Sequence, residues 1–424
     1  MLRINQFTKF AAVAAAVLAM SLVFTAAEAQ AYGESNARAL GMGGSYNAIA
    51  RNYHSIDHNP ANLGLDGNKG ISVELFSLGT QLKNNAFSYG DYNKYTGAYL
   101  TDADKQDILA KIPAEGLNLQ ALAEGGAASF SYDNWAFSIS GYGYSSVYLP
   151  KDPMELILYG NAVISDLELD DTEGEAWSVA DIALGYGRPV KTWSGGELAV
   201  GGTVHYLRGI IYEKITSSEG YATTGDTAIS AAGNILVKSS TGGSGYSFDL
   251  GLATRFEDKY YFNFAILNLV NKINWSDETE ITDYSFRMDA LNSNTMDDDS
   301  LTVSDDTSYA IESFGQKKPA VIKMGLSSQH YGILWAVDYE QGFSRSAASS
   351  VNPRISGGIE YRPLRWLPLR TGVSTGGLIG GYASFGFGLD FGLYKFDFAL
   401  ANQGSLLPNG SKGLLFSMSS GFNF

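Results

Sequence analysis

Apolar side chains alternate with small or polar ones along many short segments of this chain. In one segment the apolar face carries Phe385, Phe387, Leu389 and Phe391. The next segment repeats the alternation over 394–401, and only Gly392 and Leu393 separate the two apolar rows. Alternation with period two is typical of β-strands that face two different environments, and so short a connection predicts a tight hairpin. The pattern therefore predicts an all-β chain of antiparallel strands.

The same alternation marks fifteen candidate strands. They are residues 70–80, 126–133, 134–148, 177–190, 197–214, 229–239, 245–256, 259–270, 319–329, 331–342, 353–362, 367–376, 380–392, 393–402 and 413–424. Bacterial single-chain membrane barrels have an even number of strands, so we expect one candidate to be spurious or split and the barrel to contain about fourteen. Short turns such as 257–259 are expected on the periplasmic side, and longer inserts on the extracellular side.

Three features favour a membrane barrel over a soluble β-sandwich. The polar faces consist mainly of Gly, Ser, Ala and Asp, which suit a crowded lumen, while the apolar faces suit lipid. Aromatic residues recur at strand ends, where barrels place interfacial girdles. The last strand ends in Phe422 and Phe424, and a C-terminal aromatic residue on an alternating strand resembles the assembly signal of outer-membrane barrels. We therefore expect an outer-membrane barrel whose partners include membrane lipid and the outer-membrane assembly machinery.

Residues 1–29 are typical of a secretory signal peptide. Arg3 and Lys9 give a positive start, an apolar run spans 10–24, and Ala27 and Ala29 are the small residues of a cleavage site. The apolar run is too short to cross a membrane comfortably as a helix. The chain has no cysteine, which excludes a lipid-attachment cysteine after the signal. We expect Sec-type export, cleavage of the signal and insertion into the outer membrane.

Charge and residue chemistry argue against nucleic-acid binding and against catalysis. The 44 acidic and 29 basic residues give a net charge of −15, which offers no basic footprint for phosphates. His54 and His58 are four residues apart, but Pro60 disfavours a sustained helix there and no third metal ligand is indicated. His205 alternates with apolar neighbours and is expected to face the lumen. No G-x-S-x-G motif or phosphate loop is present, so we expect no enzyme activity, metal or cofactor.

Three inserts interrupt the strand pattern. Residues 101–124 are predicted to be helical, with Asp102 or Asp104 as the cap and a second short helical turn that ends at Gly125. Residues 150–176 combine a short apolar piece with an acidic stretch. The inserts 101–124 and 150–176 are each interpreted as a gate or docking surface, or as a plain surface loop. Residues 277–318 are the most acidic part of the chain and are predicted to be a mobile extracellular loop rather than a Ca²⁺ site. A protein partner is a possible ligand of that acidic insert.

The segment after the signal carries the most specific motif. It contains an Ala-Arg-x-x-Gly-Met-Gly-Gly run at 37–44 and an Asn-Pro-Ala-x-Leu run at 59–63. These runs resemble the N-terminus of the FadL-like superfamily of outer-membrane proteins, the long-chain fatty-acid transporters, whose relatives include the PorV-type proteins of the type IX secretion system. Ser45 replaces the alanine that is usual in those families, and residues 51–54 are bulkier and more polar than the common pattern.

The resemblance implies that residues 30–65 form a plug inside a barrel that spans 66–424. Glycine permits positive φ and close backbone approach, as a chain folded inside a barrel requires, and Asn-Pro is a turn signal. The implied plug and ligand-binding residues are Gly41, Met42, Gly43, Gly44, Asn59 and Pro60. The alternative interpretation of this segment is an ordinary N-terminal strand that leads into the barrel.

The same resemblance implies a function: binding hydrophobic small molecules and passing them across the outer membrane, with a shift of the plug or a lateral opening between strands. The PorV-type relatives indicate an alternative, a docking barrel that partners a secretion or surface-attachment system. A third possibility is a structural barrel with no solute path. Apolar lumen residues around the plug would favour transport, whereas a closed polar lumen with exposed apolar loop patches would favour docking.

Overall fold

The computed structural model describes residues 35–67, 70–159, 166–168, 170–224, 228–291, 301–344, 350–377, 380–405 and 407–424. The signal peptide expected over 1–29 lies outside these residues. In the described part of the chain, no helix is both long and apolar enough to cross a membrane.

The described strands form one antiparallel sheet that closes on itself. In chain order they are β1 (Ile71–Asn84), β2 (Leu117–Tyr132), β3 (Trp135–Leu149), β4 (Asp166–Glu168), β5 (Glu173–Trp193), β6 (Gly196–Thr224), β7 (Ile229–Ser240), β8 (Gly242–Phe256), β9 (Tyr260–Asp277), β10 (Glu280–Leu291), β11 (Thr302–Ala310), β12 (Phe314–Gln316), β13 (Val321–His330), β14 (Ile333–Gly342), β15 (Arg354–Leu364), β16 (Leu367–Gly376), β17 (Tyr382–Asp390), β18 (Tyr394–Gln403) and β19 (Gly413–Asn423). Because β1 pairs with both β2 and β19, the sheet has no free edge around its circumference. All strands except β4, β7, β10, β11 and β12 belong to this closed ring, which has 14 strands.

The ring confirms the predicted strand number. Fourteen of the candidate segments coincide with ring strands, and the remaining candidate, 229–239, is β7. The long strand β6 pairs with β8 over 196–209 and then, beyond the ring, with β7 over 212–224. The sheet therefore continues past one end of the ring as an extension of five elements, which we call the blade: β4, residues 212–224 of β6, β7, β10 and β11. This end carries the long inserts that are predicted to be extracellular, and we name the two ends of the ring by that prediction.

The blade shows that the expected loop at 277–318 is wrong for its described part. These residues form β10, β11 and β12, which pair with β7, with each other and with β9. One face of β11 carries Ser304, Asp306 and Ser308, and the other places Asp305 and Thr307 between Val303 and Tyr309, so a hydrophobic pattern does not reveal the strand. Pairing with the neighbouring strand β10 makes this segment a strand, although its own sequence does not predict one.

Short helices occupy the two extracellular inserts and the N-terminal segment. They are α1 (Ala37–Gly41), α2 (Ser55–His58), α3 (Tyr89–Tyr95), α4 (Asp102–Lys111) and α5 (Lys151–Tyr159). The helix predicted in 101–124 is confirmed for α4, although Thr101 is its cap and Asp104 completes the capping box. Helices α4 and α5 pack together through a small apolar core, with Leu109 and Leu158 among its members, over the extracellular mouth.

The second helical turn predicted in the same insert is wrong. Residues 117–125 belong to β2, where they pair with β1 on one side and β3 on the other. Leu, Gln, Ala and Glu favour helices as isolated residues, but two flanking strands that extend equally far override this weak local preference.

The orientation of the strand faces is as predicted for a membrane barrel. Phe385 and Leu252 are 57% and 46% exposed on the outer surface, whereas Ser384 and Asp249, at alternate positions of the same two strands, are buried inside. Apolar side chains that point outward suit lipid, whereas a soluble sandwich would bury them. The terminal Phe424 is also exposed, and β19 closes the ring against β1; the role of Phe422 and Phe424 in assembly stays a prediction.

Candidate functional site

Residues 35–65 fold inside the ring as a plug. Helix α1 begins after Asn36, whose side chain accepts hydrogen bonds from the amides of Arg38 and Ala39, and it packs against β17, β18 and β19. The second half ends in a 3-10 turn at Pro60–Gly64, which packs against β5, β6 and β8 on the other side of the lumen. Most plug residues are buried. The segment is therefore a plug rather than a strand that leads into the barrel.

Glycines on both sides bring the plug backbone against the wall. Gly43 and Gly44 have φ of +71° and +81°, whereas Gly41 lies in α1 without a positive φ and contributes only its small size. A Cβ added to the wall residue Gly358 would lie 2.6 Å from the carbonyl carbon of Met42. Because that separation is far below van der Waals contact, any side chain at 358 would push the plug away from the wall.

The variant Gly358→Ala is expected to destabilise the barrel by about 1–3 kcal/mol, the usual range for overpacking a filled interior. The matched control is Gly357→Ala, because Gly357 points outward and an added Cβ there lies 3.9 Å from its nearest neighbour. Urea unfolding of both variants in detergent micelles measures the difference. Equal unfolding midpoints would show that the plug does not rest on this part of the wall.

Two polar side chains anchor the plug backbone. Asn59 donates to the carbonyl oxygens of Leu252 and Phe264 in adjacent wall strands, at 2.9 and 3.1 Å. The wall carboxylate of Asp338 accepts from the amides of Tyr46 and Asn47, at 2.8 and 2.7 Å. These bonds satisfy plug and wall groups that have no access to bulk water. The structure places the six predicted binding residues at this contact between plug and wall, and none of them lines either of the two lumen cavities described next.

A buried ion network joins the plug to the wall. Glu360 accepts from Arg38 of the plug at 2.7 Å and from the wall residues Arg370 and Arg362 at 2.7 and 3.3 Å. Arg370 also donates to Asp397 at 2.6 Å. Sequence reasoning missed this network. The available signal was a charged residue on the small-residue, inward face of a strand, as Glu360 is between Gly358 and Arg362.

The first lumen cavity, which we call the histidine cavity, has a volume of about 150 Å³ and lies beside His205. As predicted, His205 faces inward. Its Nδ1 lies 3.0 Å from Asp181 and its Nε2 lies 3.1 Å from Asp249, so the ring bridges two carboxylates and both of its nitrogens act as donors when it is protonated. Lys318 reaches into the same space and donates to the hydroxyl of Tyr142.

An aromatic cluster covers the extracellular side of this cavity. It consists of inward-facing residues of β2, β3, β5, β6 and β9: Leu122, Tyr142, Tyr144, Trp177, Val179, Leu207, Tyr212, Ile273 and Trp275. Trp177 and Ile273 belong to the cluster and also line the histidine cavity. The cavity therefore has an apolar roof and a charged floor.

The second cavity, which we call the arginine cavity, has a volume of about 290 Å³ and lies near the periplasmic turns. Its charged lining residues are Arg38, Arg51, Arg362, Arg370, Lys395, Asp390 and Asp397. Polar and charged groups dominate this lining, so the space suits water and ions better than an apolar molecule. The lumen is thus polar around the arginine cavity, and its large apolar surface is the aromatic cluster beside the histidine cavity.

Two plug side chains, Tyr53 and His54, line both cavities and so form a partition between them. Burial, together with the nearby Arg38 and Lys395, lowers the pKa of His54 to about 3, so this part of the partition is neutral at neutral pH. Asp57 opens onto the histidine cavity but is enclosed by the barrel. Desolvation and then the charge of Asp181 raise the pKa of Asp57 to about 7, so the cavity gains negative charge as the pH rises through that value. Within the described residues, no group of His, Cys, Asp or Glu is arranged to hold a metal ion.

The barrel wall is interrupted beside the histidine cavity. Strand β9 pairs with β13 as far as Leu267 and with β12 only from Ile273 onward. Between them, residues 268–272 of β9 face 317–320 without a regular backbone ladder, and Asn268 has a φ of +55°. We call this stretch the asparagine seam.

Side-chain amides bridge the asparagine seam in place of the ladder. Asn271 donates to the carbonyl oxygen of Lys318 at 2.8 Å and accepts from its amide at 2.6 Å. Asn268 donates to the carbonyl oxygen of Pro319 at 3.3 Å, while its own amide donates to Asp249 at 2.6 Å. Because Asp249 also contacts His205, a continuous chain of polar contacts connects the cavity with the seam.

Comparisons with known proteins agree on the fold. Residues 60–242 match the model of a family of unknown function, DUF5723. No curated protein matches the sequence. The toluene transporter TbuX of Ralstonia pickettii is 14% identical with a TM-score of 0.51, over 94% of this chain and 99% of that one. The toluene transporter TodX of P. putida is 15% identical with a TM-score of 0.51, over 91% and 97%.

A third solved structure gives the same result. The deltaS2S3 mutant of TodX, described as a monoaromatic hydrocarbon channel, is 13% identical with a TM-score of 0.56, over 94% of this chain and 99% of that one. At such low identity the likeness shows the fold alone. The chain thus has the closed barrel fold of these three structures, a fold that the resemblance of residues 37–65 also implies.

Proposed function

We propose that this protein is an outer-membrane channel that binds hydrophobic small molecules in the histidine cavity, against the aromatic cluster, and releases them through the asparagine seam. The observation that carries the proposal is the seam itself, because it is an interruption of the wall directly beside a cavity with an apolar roof. The fold shared with toluene transporters and a monoaromatic hydrocarbon channel supports the same class of ligand.

The route through the wall is more favourable than the route through the plug. Opening the seam breaks the few hydrogen bonds that the side chains of Asn268 and Asn271 make to the backbone of 317–320. Moving the plug breaks the buried ion network of Glu360 and the contacts of Asn59 and Asp338. An apolar molecule that passed the plug would also cross the charged arginine cavity at a large desolvation cost. Leu269 and Val270 are exposed on the outer surface of the seam, so a ligand that leaves there meets lipid.

Binding is tested by calorimetric titration of the detergent-purified barrel with toluene and with the fluorescent apolar probe 1-N-phenylnaphthylamine. The proposal expects saturable binding of at least one probe. Trp177→Ala is expected to weaken it about tenfold or more, since truncating a buried aromatic anchor typically costs about 2 kcal/mol or more. Trp135→Ala is the matched control, because Trp135 lies on the outer surface and is 48% exposed.

Equal effects of the two tryptophan substitutions would contradict a binding site at the aromatic cluster. Absence of saturable binding for both probes would favour a barrel with a structural or docking role and would overturn the channel proposal.

A further inference from the structure

Strand β11 forms the outer edge of the blade. Within the described part of the chain it pairs with β10 alone. Every residue from 303 to 310 is exposed, so both faces of the strand and one of its edges meet solvent on the extracellular side. Such an edge presents a row of backbone donors and acceptors that can template another strand.

The direction of the free backbone groups follows from one hydrogen bond. The amide of Ile311, just after β11, donates to the carbonyl oxygen of Thr279, just before β10, at 2.9 Å, so the backbone groups of 311 face the β10 side. Those of Asp306, an odd number of residues away, face the open edge, where its amide donates to the side chain of Asp305 at 3.0 Å. In an antiparallel pair, alternate residues present their amides and carbonyls to the same side. Ser304 and Ser308 therefore also direct their backbone groups outward, which spaces the free donors as an incoming strand requires.

The charge of this edge selects among possible strands. Strands β10 and β11 carry five carboxylates, those of Glu280, Asp283, Asp289, Asp305 and Asp306, and a single basic residue, Arg287. Arg287 is already paired with Asp289 at 2.9 Å. A second copy of β11 would bring aspartates beside aspartates, and like charges on neighbouring strands are unfavourable. Lysine or arginine on the incoming strand, beside Asp305 and Asp306, is favourable because opposite charges on neighbouring strands attract.

We propose that β11 is a docking strand for an extended, lysine- or arginine-bearing segment of a partner protein, which adds to the blade as a further β-strand outside the cell. Main-chain hydrogen bonds to the outward groups of 304 and 308 and to the carbonyl oxygen of 306 provide the affinity, and Asp305 and Asp306 provide the preference for basic side chains. Val303 and Tyr309, which are exposed on one face of β11, offer apolar contacts at the two ends. This role is independent of passage through the lumen.

The test uses two synthetic peptides of nine residues, the length of β11, in which lysine alternates with valine or threonine. One peptide has free amides, and the other is N-methylated at alternate residues along one edge, so the two carry equal charge but only the first offers a full set of donors. Binding to the full chain in nanodiscs is measured by fluorescence anisotropy. We expect the free peptide to bind, and the methylated peptide to bind about tenfold or more weakly because it loses several backbone hydrogen bonds.

A matched pair of variants tests the strand itself. Ser304→Pro removes one outward amide, which an edge strand tolerates, and is expected to weaken binding of the free peptide. Ser304→Ala loses the same hydroxyl but keeps the amide, and is expected to bind normally. Equal binding of both peptides would show electrostatic adhesion and overturn the proposal. Absence of binding, or self-association of the barrel that Ser304→Pro abolishes, would overturn it as well.

Discussion

Replacing Glu360 by glutamine is expected to loosen the plug and to destabilise the folded barrel by about 3–5 kcal/mol, the range for removing one partner of a buried ion pair. Glutamine keeps the shape of the side chain but leaves Arg38 and Arg370 without the carboxylate that they share. The side chain of Arg370 is only 2% exposed, and with Asp397 as its remaining carboxylate partner its charge stays poorly compensated. Urea unfolding in micelles measures the stability. The ion current through single barrels in a planar bilayer measures how completely the plug blocks the lumen.

Two controls make this result interpretable. Glu257→Gln changes a carboxylate in a periplasmic turn whose side chain is 70% exposed, and it is expected to leave stability and current unchanged. The double variant Arg38→Gln with Glu360→Gln removes a positive and a negative charge together, so it is expected to recover part of the lost stability, as coupled residues do in a double-mutant cycle. A closed and fully stable Glu360→Gln barrel would contradict the assigned role of the network.

The wall of the barrel was predictable because lipid imposes a pattern on each strand separately. Phe385 and Phe387 meet lipid while Ser384 and Gly386 face the lumen, so the strand can be recognised without knowledge of its neighbours. Strand β11 meets water on both faces, and a segment such as Asp305-Asp306-Thr307 therefore shows no alternation. That is why the acidic insert was predicted to be a loop and why the candidate at 229–239 was not recognised as part of an extension.

The candidate site was less predictable than the fold because its members come together only through the register of the ring. The plug was recognisable as a local motif, yet the wall partner of Arg38 is 322 residues away. The asparagine seam likewise joins Asn268 to a carbonyl 51 residues later. No local pattern fixes such pairings. The usable signal is weaker: Asp181, Asp249 and Glu360 are charged residues on otherwise small inward faces, which marks them as lumen groups but not as partners of particular residues.

Locking the asparagine seam is expected to abolish passage of hydrophobic molecules. The chain has no native cysteine, so Asn271→Cys with Lys318→Cys places a single reactive pair across the seam, where the two residues already share two hydrogen bonds. Before cross-linking, loss of these bonds is expected to raise the rate at which 1-N-phenylnaphthylamine enters the membrane of cells that express the barrel. After treatment with a short bis-maleimide, entry is expected to fall to the level of cells without the barrel.

Faster probe entry before cross-linking and loss of entry after it would show that the asparagine seam is a gate. A merely structural irregularity of the wall would change probe entry in neither case. The control pair Val373→Cys with Ala383→Cys lies across the regular β16–β17 ladder, and cross-linking there is expected to leave probe entry unchanged because that ladder has no reason to open. If the cross-linked seam still passes the probe, the ligand leaves elsewhere, and movement of the plug becomes the required route. In that event the Glu360→Gln barrel would pass the probe faster than the unsubstituted one, whereas a lateral exit at the seam predicts that loosening the plug alone changes ion current without changing probe entry.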